Sequence, residues 1–211
     1  MSRVASILIS VIVLVFARAI RATVDYEPMT LFQLLTGAEI VVRGDIRNVT
    51  ADSYDLVVEC AYRPAGTPQV LHVARIDTFR LDERWADYAE GQSVVVFAEP
   101  GERADDPIRP LGVAGEGELP TDGEYVYVRA LSRPPDRLDR GPIPGGTQLA
   151  YRLDAEDFDR AIAGFFNCYR PSETPRIVRI CETGARDAYR ESSWLAAHLA
   201  GIAERLTGEG D

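Results

Sequence analysis

The alternation of apolar and polar positions divides this chain into a short N-terminal helix, a run of strands and a helical C-terminal part. In MTLFQLLTG (29–37), Leu31, Leu34 and Leu35 fall at helical spacing and Gly37 supplies a stop, which predicts a short helix. AEIVVRGDIRNVTA (38–51) is rich in β-branched residues and predicts a first strand, with Gly44 marking a bulge or a close backbone approach. In YDLVVECAYR (54–63), Tyr54, Leu56, Val58, Cys60 and Tyr62 share one face at period two, with Asp55 and Glu59 opposite. That predicts a half-buried strand, joined to the first by a turn at 51–53. RPAGTPQ is a loop, and QVLHVARIDTF (69–79) predicts a third strand. LDERWADYAEGQ (81–92) reads as a helical turn or surface loop ending at Gly91. SVVVFAEP (93–100) is apolar almost throughout, as a central strand covered on both faces requires, and Pro100 stops it.

Residues 101–123 predict a long loop with one short strand near Leu111–Val113, and EYVYVRAL (124–131) a fifth strand. The stretch 132–150 holds four prolines and three glycines, which argues for an extended connector without regular structure. A helix is expected from an N-cap at Asp154. Glu156 and Asp157 suit its dipole, and Phe158, Ala161, Ile162 and Phe165 form its apolar face. RDAYRESSWLAAHLAGIAERL (186–206) predicts a last helix with Tyr189, Leu195, Leu199, Ile202 and Leu206 as its stripe. Five short strands with terminal helices fit a mostly β (α+β) fold, a five-stranded OB-like Greek-key barrel, better than a sandwich of about seven strands. The expected organisation is a barrel over 23–131, a Pro/Gly-rich connector over 132–150 and a helical extension over 151–211 packed on the barrel.

Ahead of all this stand thirteen apolar and small residues, Val4 to Phe16, preceded by Arg3 and followed by small residues at Ala17, Ala19 and Ala22. The pattern is that of an export signal over residues 1–22. An uncleaved anchor is the alternative, but thirteen helical residues reach only about 20 Å against a hydrocarbon core of roughly 30 Å, and Arg18 and Arg21 block any extension. Cleavage after Ala22 would remove three arginines, leaving 20 basic against 33 acidic side chains and a formal charge of −13. The expectation is an exported protein, periplasmic or secreted, with no stable membrane insertion after cleavage. All 23 basic residues are arginine. So acidic a chain disfavours nucleic acid and anionic membranes, whose affinity comes largely from basic side chains neutralising phosphate.

Three cysteines allow one bridge. Cys168 and Cys181 are close in sequence with Pro171 and Pro175 bending the chain between them, so they are the expected disulfide, with Cys60 left free and buried on its strand. His72 and His198 are the two histidines, which narrows general-base and metal-ligand chemistry at once. His72 alternates with Val70, Ala74 and Ile76 and reads as a hydrogen-bonded packing residue, while His198 reads as a solvated or partly packed helix residue. No nucleophile elbow, phosphate loop, HExxH helix or CxxC pair occurs. Gly112, Gly115 and Gly117 suit backbone freedom better than a phosphate cradle. The neighbouring acids Glu116 and Glu118, Asp122 and Glu124, and Asp105 and Asp106 could serve glycoside hydrolysis or hold calcium, but composition alone produces such pairs. Trp85, Tyr88, Tyr125 and Tyr127 suit barrel packing more than an exposed recognition surface.

The segments LLTGAEIVVRGDIRNV, GQSVVVFAEP, LGVAGEGELPTDGEYVYV and LDAEDFDRAI, across residues 31–166, together resemble a loose group of uncharacterised exported bacterial proteins. Their OB-like barrels resemble the netrin-like domain of the tissue inhibitors of metalloproteinases. In those inhibitors a cysteine at the mature N-terminus reaches the target zinc, whereas Ile20 or Thr23 would stand there in this chain, so inhibition does not carry over. No catalytic residue, cofactor or metal is assigned. The expected function is a non-catalytic exported module binding an unknown protein or small ligand, through its barrel face or the 101–123 loop. A carboxylate-dependent hydrolase of the cell envelope is the alternative.

Overall fold

A computed structural model describes residues 27–76, 83–172 and 177–207. The export signal with its cleavage sites, the end of the predicted third strand at 77–79 and the last four residues of the polar tail lie outside the described residues. Leu31–Gly37 is helix α1. Its start is fixed reciprocally: the Gln33 amide donates to Thr30 Oγ1 (3.3 Å) and the Thr30 amide to Gln33 Oε1 (2.8 Å). Leu31, Phe32, Leu34 and Leu35 are buried.

One sheet of nine strands follows among the described residues. These are β1 (Ile40–Arg47), β2 (Ser53–Arg63), β3 (Val70–Ala74), β4 (Ser93–Glu99), β5 (Arg109–Pro110), β6 (Glu118–Thr121), β7 (Tyr125–Val128), β8 (Arg140–Pro142) and β9 (Leu149–Asp154). The spatial order is β3-β2-β1-β4-β6-β7-β9-β8, with β5 also on β4, and every ladder is antiparallel. The β1–β2 register shifts between Arg43 and Gly44, and a Cβ at Gly44 would stand 2.1 Å from the Val57 carbonyl oxygen. The bulge therefore requires glycine, as expected.

The protein is thus mostly β with added helices. The ladders do not close the sheet into a barrel. β3 meets the β5 side of the sheet at one isolated parallel bridge, Val73 to Ile108, with the Ala74 amide donating to Ile108 O and the Ile108 amide to His72 O, both at 2.9 Å. The strand pattern over 101–154 also differs from expectation. The short strand of the 101–123 loop lies at 109–110 rather than 111–113, and ELPT forms β6, which Pro120 had concealed. It is tolerated because β6 meets β7 at a single residue pair, Thr121 with Val126. The 132–150 stretch is not free of regular structure, since β8 and the start of β9 lie within it. Pro142 fits because β8 is an edge strand.

β4 is the central strand its composition predicted. Val95 and Phe97 pack on one side with the helices, while Val94, Val96 and Ala98 pack on the other with Tyr54, Leu56, Val73 and Trp85. Helix α2 (Ala155–Cys168) starts where predicted, with Asp154 accepting from the Asp157 amide at 2.9 Å. Its face of Phe158, Ala161, Ile162 and Phe165 is fully buried. It also docks through Asp159, which accepts from Tyr62 OH on β2 and from Arg43 Nη1 on β1 at 2.7 Å. β10 (Tyr169–Pro171) and β11 (Ile177–Arg179) form a small antiparallel hairpin. Cys168 and Cys181 flank it as a disulfide pair, Cα–Cα 4.6 Å. Cys60 is free, but half-buried rather than buried.

The single last helix is instead two, α3 (Thr183–Ser192) and α4 (Trp194–Thr207). Ser193 adopts extended geometry between them, and its Oγ accepts from the Ala196 amide at 3.1 Å. A serine that caps a new helix interrupts an otherwise helical pattern. The buried face of α4 follows as Leu195, Ala196, Leu199, Ala200 and Ala203, leaving the predicted Leu206 51 % exposed. Among the described residues no helix is long and apolar enough to cross a membrane.

Candidate functional site

Glu118 opens β6 with no solvent exposure of its side chain. A carboxylate taken out of water is costly unless its oxygens are filled with donors. Arg84 Nε donates to Oε2 at 2.6 Å, and Tyr54 OH (2.8 Å) and Tyr88 OH (3.0 Å) both donate to Oε1. Burial first, then the Glu118 charge, pushes the phenols of Tyr54 and Tyr88 well above their ordinary range. Both therefore stay protonated and serve as donors at any physiological pH.

Arg84 is buried in turn, with 3 % of its side chain exposed. Nη1 donates to Ala86 O (2.8 Å) and Gln92 Oε1 (3.1 Å), and the guanidinium lies 3.9 Å from the Tyr88 ring centre and 4.2 Å from that of Trp85. Gly115, at φ +80°, gives it room, since a Cβ there would approach Arg84 Cγ to 2.9 Å. The segment read as a helical turn or surface loop at 81–92 is, in its described part, irregular backbone that drives Arg84 and Trp85 inward.

Beside this cluster is a cavity of about 680 Å³. The β1–β2 turn contributes Ala51 and Asp52, the end of β3 Arg75 and Ile76, the 83–88 segment its whole length, and the β8–β9 turn residues 145–148. Four buried polar atoms of lining residues lack hydrogen-bond partners: Arg84 Nη2, Trp85 Nε1, Arg75 Nε and Gln148 Oε1. Buried polar groups in folded proteins are nearly always satisfied, by protein, water or ligand. Asp52, Glu83 and Asp87 are exposed members of the same lining.

The acid pairs read from the sequence do not form joint sites. Glu116 is buried like Glu118 but accepts from the Met29 amide (2.8 Å) and the Val113 amide (3.2 Å), tying the N-terminal segment to the loop. Asp122 accepts from the amides of Glu124 and Tyr125 and from Tyr127 OH (2.7 Å), closing the β6–β7 turn. Burial and the Asp122 bond raise the Tyr127 phenol to about 12. Asp106 accepts from the Arg103 amide within its own turn. Among the described residues no His, Cys, Asp or Glu cluster is placed to hold a metal.

His72 is hydrogen-bonded as expected, Nδ1 to Asp55 Oδ1 at 3.1 Å, but it does not pack, because its side chain is 51 % exposed on the solvent face of β3 and Val73 points inward. His198 is partly buried on α4 beside Trp194. Trp85 and Tyr127 are buried and Tyr88 and Tyr125 partly so, all four packed with the polar-side core, and Trp85 and Tyr88 also line the cavity. Sequence reasoning missed Arg84. Its only signal was an arginine beside a tryptophan in a segment without clear periodicity. Compared with protein-family models, curated proteins and solved structures, the chain matches none.

Proposed function

We propose that this is an exported, non-catalytic binding module built on an OB-like barrel, with the Arg84–Trp85 cavity as its ligand site. The observation that carries the reading is the cavity itself, four of whose lining residues each hold a buried polar atom without a hydrogen-bond partner. A cavity of this size lies within the roughly 300–1,000 Å³ of ligand clefts. The barrel reading is supported by the Val73–Ile108 bridge, which curls β3 back towards β5 and β4. Export is supported by the apolar run at 4–16 and by a disulfide pair suited to an oxidising compartment. Binding rather than turnover is supported by the Glu118 and Glu116 carboxylates, whose partners hold them in place as structural groups. The −13 charge of the mature chain argues against nucleic-acid partners.

The test is a thermal-shift screen of the secreted chain against small envelope metabolites, repeated with Ala51→Trp, which places a bulky ring at the exposed cavity wall. A ligand that stabilises the parent and not the variant supports the reading. Turnover of an ester, glycoside, peptide or phosphate substrate, lost on changing a carboxylate, overturns it. Mass spectrometry of the native protein tests export: a new N-terminus near Thr23 is expected, and an intact Met1 in the cytoplasmic fraction defeats it.

A further inference from the structure

The chain has two asparagines, Asn48 in the tripeptide Asn48-Val49-Thr50 and Asn167 followed by Cys168 and Tyr169. Asn-x-Thr, with a residue other than proline in the middle, is the acceptor signal for N-linked glycosylation of exported chains, and it is used on surface loops. The fold puts Asn48 where the signal is usable. β1 ends at Arg47 and β2 begins at Ser53, so the tripeptide lies in the link between them, and Asn48 and Thr50 are both exposed. Asn167 is exposed as well, near the end of α2, but has no hydroxyl two residues on.

Asn48 also has a structural role. It occupies the left-handed region at φ +50°, which asparagine tolerates better than most residues, and its Nδ2 donates to Asp55 Oδ2 at 2.8 Å. That bond leaves the nitrogen available, because a side-chain amide carries two hydrogens and Asp55 takes one. The Thr50 hydroxyl holds the turn through Ser53, donating to its carbonyl and accepting from its amide, both at 3.0 Å. We infer that Asn48 is an N-glycosylation site, an inference that rests on the export reading. The donor is a lipid-linked diphospho-oligosaccharide. Asn48 Nδ2 forms a bond to the anomeric carbon of its first sugar and gives up one proton, while the bond from that carbon to the phosphate oxygen breaks and the lipid diphosphate leaves with the electron pair. The remaining N–H still serves Asp55, so the folded turn accommodates the sugar.

The experiment is intact-mass and peptide mass spectrometry of the chain recovered from the exported fraction of its own host, with Asn48→Gln, Thr50→Ala and Thr50→Ser alongside. The parent is expected to exceed its sequence mass by one glycan, carried on the peptide that contains Asn48, with Asn167 bare. Thr50→Ser should keep the glycan. Asn48→Gln and Thr50→Ala should lose it, and Thr50→Ala keeps the Asn48 side chain, which separates a lost signal from a lost nitrogen. A chain processed near Thr23 with Asn48 bare overturns the inference and leaves export standing, whereas an unmodified chain that keeps Met1 in the cytoplasmic fraction overturns both. A glycan that persists in both Asn48→Gln and Thr50→Ala is attached elsewhere and overturns the site.

Discussion

The two faces of β4 bury side chains equally well and are closed in opposite ways. Under Val95 and Phe97 the seal is apolar and helical, Phe158, Ile162 and Phe165 from α2 with Leu195 and Leu199 from α4, and a disulfide pins the end of α2. Under Val94, Val96 and Ala98 the apolar layer gives way to an ion pair held by two phenols. An apolar seal is forgiving of which apolar residue fills it, whereas a buried ion pair is stable only as a complete set. That ion pair borders the cavity lined by Arg84, Trp85 and Tyr88.

That contrast is broken most forcefully at Glu118. Glu118→Ala should cost about 3–5 kcal/mol in urea unfolding, because it leaves the Arg84 charge buried without a counterion. The double change Arg84→Met with Glu118→Leu should recover most of the loss. On the helical face, Phe165→Ala should cost a similar 3–5 kcal/mol through cavity formation, and no second-site change of charge should restore it. If the double variant at 84 and 118 is as unstable as the single one, the polar closure contributes packing and not charge pairing. Next in size, Cys168→Ala with Cys181→Ala should lose about 3 kcal/mol, and the difference from the parent should vanish when both are melted in reductant.

A smaller effect is expected at His198. Burial, then Arg205, holds its imidazole below the usual range, so the folded protein keeps it neutral where the unfolded chain takes up a proton near pH 6.5. Stability should be full above that value and should decline as pH falls towards the folded value. His198→Gln should flatten the decline in melts between pH 7 and pH 5. Smallest of all, His72→Ala breaks an exposed pair with Asp55 and should change stability by less than about 1 kcal/mol, with ligand binding unaltered.

The sequence made the helical face legible nearly to the residue. Asp154 as cap and Phe158, Ala161, Ile162 and Phe165 as the buried row follow from a 3.6-residue period, and the Cys168–Cys181 pair from short spacing. α4 was mistaken only where one capping serine overrode the pattern. The polar face was legible in its strands but not in its closure. Glu118 sits in a short strand disguised by Pro120, and Arg84 in backbone with no period. Their partnership spans 34 residues, and a contact between two irregular segments leaves no local trace. The same holds for β8, which reads as connector because edge strands admit proline.

The strand order also bears on how the chain finds its structure. From β1 the sheet grows one way through β2 and β3 and the other way through β4, β6, β7 and β9, and most neighbours on either side are joined by short links. The central seam is different: Ile40 pairs with Ala98 and Asp45 with Ser93, across roughly fifty residues of intervening chain. Closing that loop costs entropy before any seam contact repays it. The two meanders can form independently and early, so the speed of folding depends on the moment when β1 meets β4 in register. Gly44 lies in that seam while its backbone is pressed against β2, which makes one residue without a side chain the gate through which both halves become a single protein.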